Sequence, residues 1–427
     1  MLKKILVKGP AMSRSGYGEQ TRFALRALRS REDLFDIYLI NIPWGHTGHI
    51  AHKTEEADWL HSLLQKTAVQ LEQHKGNISI DISLQVTIPL EFEKMAPLNI
   101  GYTAGIETTK VAGQWIEKAN NMVDKIITIS AHSKNVFVNT KYDVTNGETG
   151  EKISNWGLNI PVEVVGYPTI DHTAEPLDIE LTTTKNFLAV SQWGPRKNLD
   201  NTIRWFVEEF KNDEDIGLIL KTNMAADSII DREATTQRLK NLLAEQGEWG
   251  APNRKCKIYL LHGELTPGEL KWLYAHPTMH GLINIAHGEG FGLPLFEAAQ
   301  EGLPLITITW GGQLDFICRP NKKGKAVPHV IPVDYTIGSV QKAAVWEGVI
   351  EADAMWAYAR ETSYKRALRE AIDKQKHYRQ RAKLLQKTIA AEFPADALYE
   401  RFVSFIQEEQ DEEVAEWLKK INEVSEL

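Results

Sequence analysis

A chain of 427 residues is long enough for two or three domains. Its 43% hydrophobic and 25% charged residues are an ordinary soluble composition, and a net charge of -8 supplies no general basic field to attract nucleic acid. Two cysteines without a C-x-x-C spacing show no redox or metal framework, and no apolar run approaches the roughly 18 residues that a membrane span needs.

In chain order, residues 3–8 read as a buried strand, because the apolar part of 1–7 is too short for a signal peptide. Ser13-Arg14-Ser15-Gly16-Tyr17-Gly18 then opens a helix to about Ser30. Strand, glycine turn and helix make a phosphate-binding layout, although Thr21 stands where a dinucleotide fingerprint has its third glycine. A second strand spans 35–42. His46, His49 and His52 follow it in a loop. No carboxylate or cysteine at suitable spacing joins them, so a polar loop is expected rather than a zinc site. A helix at 53–74 and strands at 78–86 and 98–103 come next, and Glu107 lies in the loop that leaves the last of these. A helix runs through Trp115, 125–130 is a strand, and Ser130 suits the N-cap of the helix opened by Ala131 and His132. After a strand at 162–165, residues 166–184 contain Pro168 and Pro176 without periodicity and read as an interdomain linker.

The second half repeats the alternation. A strand at 186–191 runs through a loop carrying Arg196 and Lys197 into a helix at 199–211; taken alone, the two cations read as solvated charges before a helix. Asp213-Glu214-Asp215 reads as an acidic surface turn before a strand at 216–221. A helix at 228–246, a strand at 258–261 ending at His262-Gly263, and a helix at 267–275 lead to the central stretch, 287–299. Here a buried strand at 281–285 meets a loop with glycines at 288, 290 and 292, and a helix at 295–301 with Pro294 at its first position. Glycine allows close backbone approach, and the helix start offers N–H groups and partial positive charge to a phosphate. Glu289 in the loop and Glu297 about one turn into the helix bracket that anion site, as acceptors for sugar hydroxyls. Beyond a strand at 305–309 lies Trp310-Gly311-Gly312-Gln313-Leu314-Asp315-Phe316, with Asp315 read as structural. The region 350–392 reads as helical with a break near 361–363. Pro394 precedes a last helix at 396–408, and an acidic stretch at 408–427 has Trp417, Leu418, Ile421 and Val424 at helical spacing, for docking on its own domain or a partner.

The run E-G-F-G-L-P-L-F-E-A from Glu289 resembles the E-x7-E signature of the large retaining family-four glycosyltransferases. P-R-K-N before the helix at 199 and W-G-G-x-x-D-F at 310 resemble further segments of that family. The resemblance implies the α/β GT-B fold, two Rossmann-like domains facing a cleft. Residues 1–168 would form the acceptor-side domain, 169–184 the linker and 185–393 the nucleotide-sugar domain. Helices at about 394–427 would cross back to complete the first. It implies that Glu289 and the backbone of Gly290, Phe291, Gly292 and Leu293 hold the donor sugar and Glu297 the ribose. Lys197 and Arg196 would grip the diphosphate, Gly16 would face the cleft, and the backbone of His262 and Gly263 would pack on the base. The chain departs from the pattern at Gln192, where the family has arginine, and at Glu107, where many members have histidine and a subgroup has E-T-T. Glu107 is expected either to contact the donor sugar or to cap the next helix. The implied activity is retaining transfer of a sugar from a nucleoside diphosphate sugar to a hydroxyl of a glycan, lipid-linked or protein acceptor, in cell-surface glycan or glycoconjugate synthesis. No metal, cofactor or protein nucleophile is implied. The expected place is the cytoplasm, with peripheral contact at the inner membrane face, and nucleic acid is not an expected partner. A nucleotide-sugar epimerase on the same fold, or a non-catalytic sugar-nucleotide binder, are the alternatives.

Overall fold

The computed structural model describes residues 2–51, 53–76, 78–145, 147, 150–245, 254–320 and 323–407. His52 and the acidic stretch 408–427 lie outside the described residues.

Two six-stranded parallel sheets carry the molecule. The first is built from β1 (Lys3–Gly9), β2 (Phe35–Asn41), β3 (Ile82–Val86), β4 (Leu98–Thr103), β5 (Lys125–Thr128) and β8 (Val162–Val164), in the order β2-β1-β3-β4-β5-β8. Helices α1 (Gly16–Arg29), α2 (Glu55–Gln73), α3 (Gly113–Met122) and α4 (Ala131–Asn139) connect its strands, and a hairpin of β6 (Lys141–Thr145) and β7 (Lys152–Gly157) stands apart. Because helices cover both faces of a parallel sheet, its strands are buried on both faces; Ile5, Val7, Leu84 and Ile100 are fully buried, and so are the polar Ser83 and Gln85 of β3.

The second sheet uses β9 (Lys185–Val190), β10 (Ile216–Lys221), β11 (Lys257–Leu261), β12 (Met279–Asn284), β13 (Leu305–Ile308) and β16 (Ile331–Val333), in the order β11-β10-β9-β12-β13-β16. Its helices are α5 (Leu199–Phe210), α6 (Ile229–Glu245), α7 (Pro267–Ala275), α8 (Leu293–Gln300) and the short α9 (Leu314–Ile317). After building outward from β9 on one side, the chain returns to pair β12 on the other. That reversal opens a crevice at the carboxyl ends of β9 and β12, where doubly wound sheets bind their ligands.

Local chemistry sets the helix starts. Ser15 and Ser130 accept backbone N–H bonds as N-caps, and Thr266 with Glu269 forms a reciprocal capping box on α7. Helix α8 begins at Leu293 after Gly292, whose φ of 92° is left-handed, so Pro294 occupies the second helical position rather than the first.

The sequence expectation of helix across 350–360 is corrected. Met355–Ala359 is a strand, β18, paired antiparallel with β17 (Tyr335–Ser339), and helix begins only at α10 (Glu361–Asp373). Trp356 is fully buried and faces Gly338 across the ladder, a pairing that segment-by-segment reading does not reveal. The hairpins β6–β7 and β14 (Cys318–Pro320) with β15 (Ala326–Pro328) are likewise additions. Residues 165–184 are irregular and join the two sheets.

After α11 (Gln375–Glu392), helix α12 (Ala395–Gln407) packs on α1 beside the first sheet. Phe402 meets Phe23 edge-on at 5.3 Å and Tyr102 at 5.3 Å.

Candidate functional site

Three loops converge between the sheets. Strand β9 ends in Ser191–Asn198, β12 ends in Ile285–Gly292, and β4 of the other sheet ends in the loop holding Glu107. Carbonyl oxygens of Glu107 and Ala104 lie so close to Gly288 and Gly290 that a Cβ at either glycine would collide with them. The glycines therefore admit the opposing backbone, as well as leaving room for a ligand.

A ring of four charges occupies this junction. Lys197 Nζ is 2.6 Å from Glu289 Oε1, and Asn284 Nδ2 donates to the same oxygen at 2.9 Å. Arg196 Nη1 donates to the Gly288 carbonyl at 2.7 Å and lies 3.4 Å from Glu289 Oε2, while Arg196 Nη2 is 2.9 Å from Glu107 Oε1. The Glu289 side chain is only 7% exposed. Burial would raise its carboxyl, but Lys197, Arg196 and the Asn284 hydrogen bond outweigh this and hold it at about 2. Burial raises Glu107 against the pull of Arg196 and Lys197. Burial, with Arg196 beside it, lowers Lys197 despite its carboxylate partners.

Gln192 donates to the Met224 carbonyl at 2.9 Å and does not join the ring. Arg196 is the second cation of the junction instead. Local geometry aims it there: Pro195–Lys197 form a 3-10 turn, Asn198 is left-handed at φ 54°, and the Arg196 carbonyl accepts from His287 N at 2.8 Å.

Glu297 sits in the second turn of α8 and accepts a hydrogen bond from Tyr274 Oη of α7 at 2.9 Å. Burial raises its carboxyl to about 7, only partly opposed by that bond, and the negative charge of Glu19 adds to the rise. The Phe291 ring is a core anchor, 5.1 Å from Tyr167 and 5.2 Å from both Phe296 and Phe316, so its side chain serves the core.

The remaining expected positions fall differently. The imidazole of His262, 3% exposed, is bound to Asp231 at 2.8 Å and leaves only its backbone for a base; Gly263 has φ 103°, and its carbonyl accepts from Lys221 Nζ at 2.6 Å. Gly16 is exposed at the start of α1 with room for a side chain, whereas Gly18 is the tight position, pressed on the Ser13 carbonyl. His132, in the first turn of α4, packs edge-on against Trp310 at 5.0 Å, and burial pushes its imidazole down to about 4. Asp315 accepts the Ala131 N–H at 2.8 Å, a structural bond between the sheets. Asp213 pairs with Arg369 at 3.1 Å and Asp215 binds Thr184, so the acidic turn serves local structure. His46 and His49 are exposed, and among the described residues no group of three or more His, Cys, Asp or Glu is placed to hold a metal.

Sequence reasoning missed Asn284, Tyr274 and the hairpin β17–β18. Asn284, a polar residue closing an apolar strand five positions before Glu289, was the one available signal. His287 ties the hairpin to the central loop: Nδ1 donates to the Ala357 carbonyl at 2.7 Å, Ala357 N donates back to the His287 carbonyl at 2.9 Å, and the ring stacks on Trp356 at 4.9 Å. The hairpin also grips the loop of Glu107, through Thr109 N to the Met355 carbonyl at 2.9 Å and Lys110 to Asp353 at 2.7 Å.

No family model matches the chain. Sucrose-phosphate synthase from Thermosynechococcus elongatus superposes with a TM-score of 0.58 over 95% of this chain and 98% of its own, at 12% identity. The fold is GT-B. HepE of Anabaena, solved in complex with UDP-glucose, superposes with a TM-score of 0.55 at 12% identity, over 94% of this chain and 99% of its own. In sequence, the chain is 28% identical over 159 residues to the serotype-specific mannosyltransferase WbdA of Escherichia coli, and that stretch is 36% of this chain but only 17% of WbdA. The chain thus resembles glycosyltransferases of GT-B type. No described helix is long and apolar enough to cross a membrane.

Proposed function

We propose that this protein transfers a sugar, with retention of anomeric configuration, from a nucleoside diphosphate sugar to an acceptor hydroxyl. The observation that carries the reading is the convergence of Arg196, Lys197 and Glu289 at the switch point of the second sheet. Donor ribose binds Glu297, the diphosphate meets Lys197, Arg196 and the start of α8, and Glu289 holds the sugar hydroxyls. The base lies along the backbone of His262 and Gly263. The bond from the sugar to the diphosphate breaks with its electron pair leaving on the diphosphate. The acceptor oxygen attacks the same face, and its proton passes to the departing diphosphate.

Growing charge on the diphosphate is greater at the transition state than in the bound donor, so the two cations favour the transition state. On this reading the cations stand where a metal would, and no cofactor or protein nucleophile is needed. Likeness to part of a serotype-specific mannosyltransferase supports a glycan or glycoconjugate acceptor made for the cell surface; a lipid-linked or protein-borne acceptor, and work in the cytoplasm or at the inner membrane face, belong to the same proposal.

The reading is tested with UDP-, GDP- and ADP-sugars, recording thermal shift and then the anomeric configuration of any product by NMR. Stabilisation by at least one donor and a product with the donor's anomeric configuration are expected. An inverted product would remove the retaining mechanism, and sugar isomerisation without an acceptor would make the protein an epimerase.

A further inference from the structure

The cations that would receive a diphosphate already have carboxylate partners. Arg196 faces Glu107 at 2.9 Å and Lys197 faces Glu289 at 2.6 Å, so two positive and two negative charges balance within the junction. A diphosphate added to this ring would leave negative charge in excess inside a largely desolvated site, which is costly unless one carboxylate gives way.

The two carboxylates are held unequally. Glu289 is 7% exposed and is bound by Lys197, Asn284 and the more distant Arg196. Glu107 is 22% exposed, and its ion pair with Arg196 uses one oxygen. The charged and titratable groups facing Glu107 are Arg196, Lys197 and Glu289 from the second sheet's loops and Tyr17 from α1. Burial raises the Glu107 carboxyl whereas Glu289 is held low.

Resting on the donor-site reading above, we propose that Glu107 is an exchangeable counter-ion for Arg196. It holds the guanidinium between turnovers, yields it to the donor diphosphate, and competes for it again so that the nucleoside diphosphate leaves. The surrounding structure allows the exchange without unfolding. Arg196 keeps its bond to the Gly288 carbonyl, and the Glu107 loop stays docked through Thr109 to Met355 and Lys110 to Asp353. Glu107 and Arg196 belong to loops of different sheets, so the exchange also releases one contact across the cleft.

The consequence is opposite to that of a carboxylate that only binds sugar or supports the fold. Removing the Glu107 charge should tighten binding of a nucleoside diphosphate. UDP, GDP and ADP are titrated by calorimetry against wild type, Glu107→Gln, Arg196→Ala and the double variant. The diphosphate that wild type binds should bind Glu107→Gln at least about fivefold more tightly, the scale of a coupling between two groups. It should bind Arg196→Ala more weakly, and adding Glu107→Gln to Arg196→Ala should give no tightening. If Glu107→Gln does not fold, Glu107→Asp, one methylene too short for the same pair, should tighten binding in the same direction by less. Equal or weaker affinity on losing the Glu107 charge, or tightening that persists without Arg196, overturns the exchange while leaving the donor site intact. Failure of wild type to bind any of the three overturns the donor site itself.

Discussion

Glu289 and Glu297 stand eight residues apart, and their surroundings drive their ionisation in opposite directions, to about 2 and about 7. Both are buried. The difference is that Glu289 faces two cations whereas Glu297 has a neutral phenol and a nearby carboxylate. For Glu289 the folded value lies below the ordinary 4.5, so its contribution to stability is present above that pH and is lost as pH falls toward 2. Acid unfolding of Glu289→Gln should accordingly show a flatter stability profile in that window, and an unchanged profile would contradict the ion-pair assignment. For Glu297 the sign reverses: the folded value is raised, so its stability contribution is fully present below 4.5 and is lost as pH rises through about 7. The ionised form accepts ribose hydroxyl bonds at both oxygens and more strongly, whereas protonation turns one oxygen into a donor. Affinity for a nucleoside diphosphate sugar should therefore rise between about pH 6 and 8 in wild type, and Glu297→Gln should remove that slope; a slope retained in the variant would place the ribose elsewhere. Residue types and spacing were legible here, because the glycine loop and helix start lie within one short stretch. Partners such as Tyr274 and Asn284 were not, because they come from other elements.

At the scale of elements, the hairpin β17–β18 joins the two halves of the site. Its Trp356 is fully buried against His287, and its edges hold the loop of Glu107. Trp356→Ala should cost about 3–5 kcal/mol, as for other large buried aromatics, and should slow turnover because the central loop loses its support. Urea unfolding with a donor-turnover assay checks both, and a stability loss with a wild-type rate would confine the hairpin to structure. Sequence reading placed helix here because strand pairing is non-local: Trp356 reads as a strand residue only once Gly338 is known to lie opposite. Strands flanked by helices and glycine turns, such as β9, β10 and β12, needed no such knowledge, since their apolar runs are bounded locally.

At the scale of the molecule, two doubly wound sheets face each other and α12 returns to pack on α1. Alternation of apolar and amphipathic segments makes both sheets legible in the sequence. The closeness of their facing loops is not, because Arg14 with Glu264 at 2.7 Å and Arg196 with Glu107 at 2.9 Å pair residues far apart in the chain. If Arg196 and Lys197 supply the positive charge for departure, turnover should survive excess EDTA; complete loss restored by manganese would reassign that charge to a metal. The central claim is tested most directly by following nucleoside diphosphate release from UDP-, GDP- and ADP-sugars in wild type and Lys197→Ala. The account predicts release from at least one donor in wild type, and a rate constant at saturating donor about 10²–10³ lower in the variant, the effect of losing one preorganised electrostatic contact. Release from none of the donors, or an unchanged rate in Lys197→Ala, would contradict it.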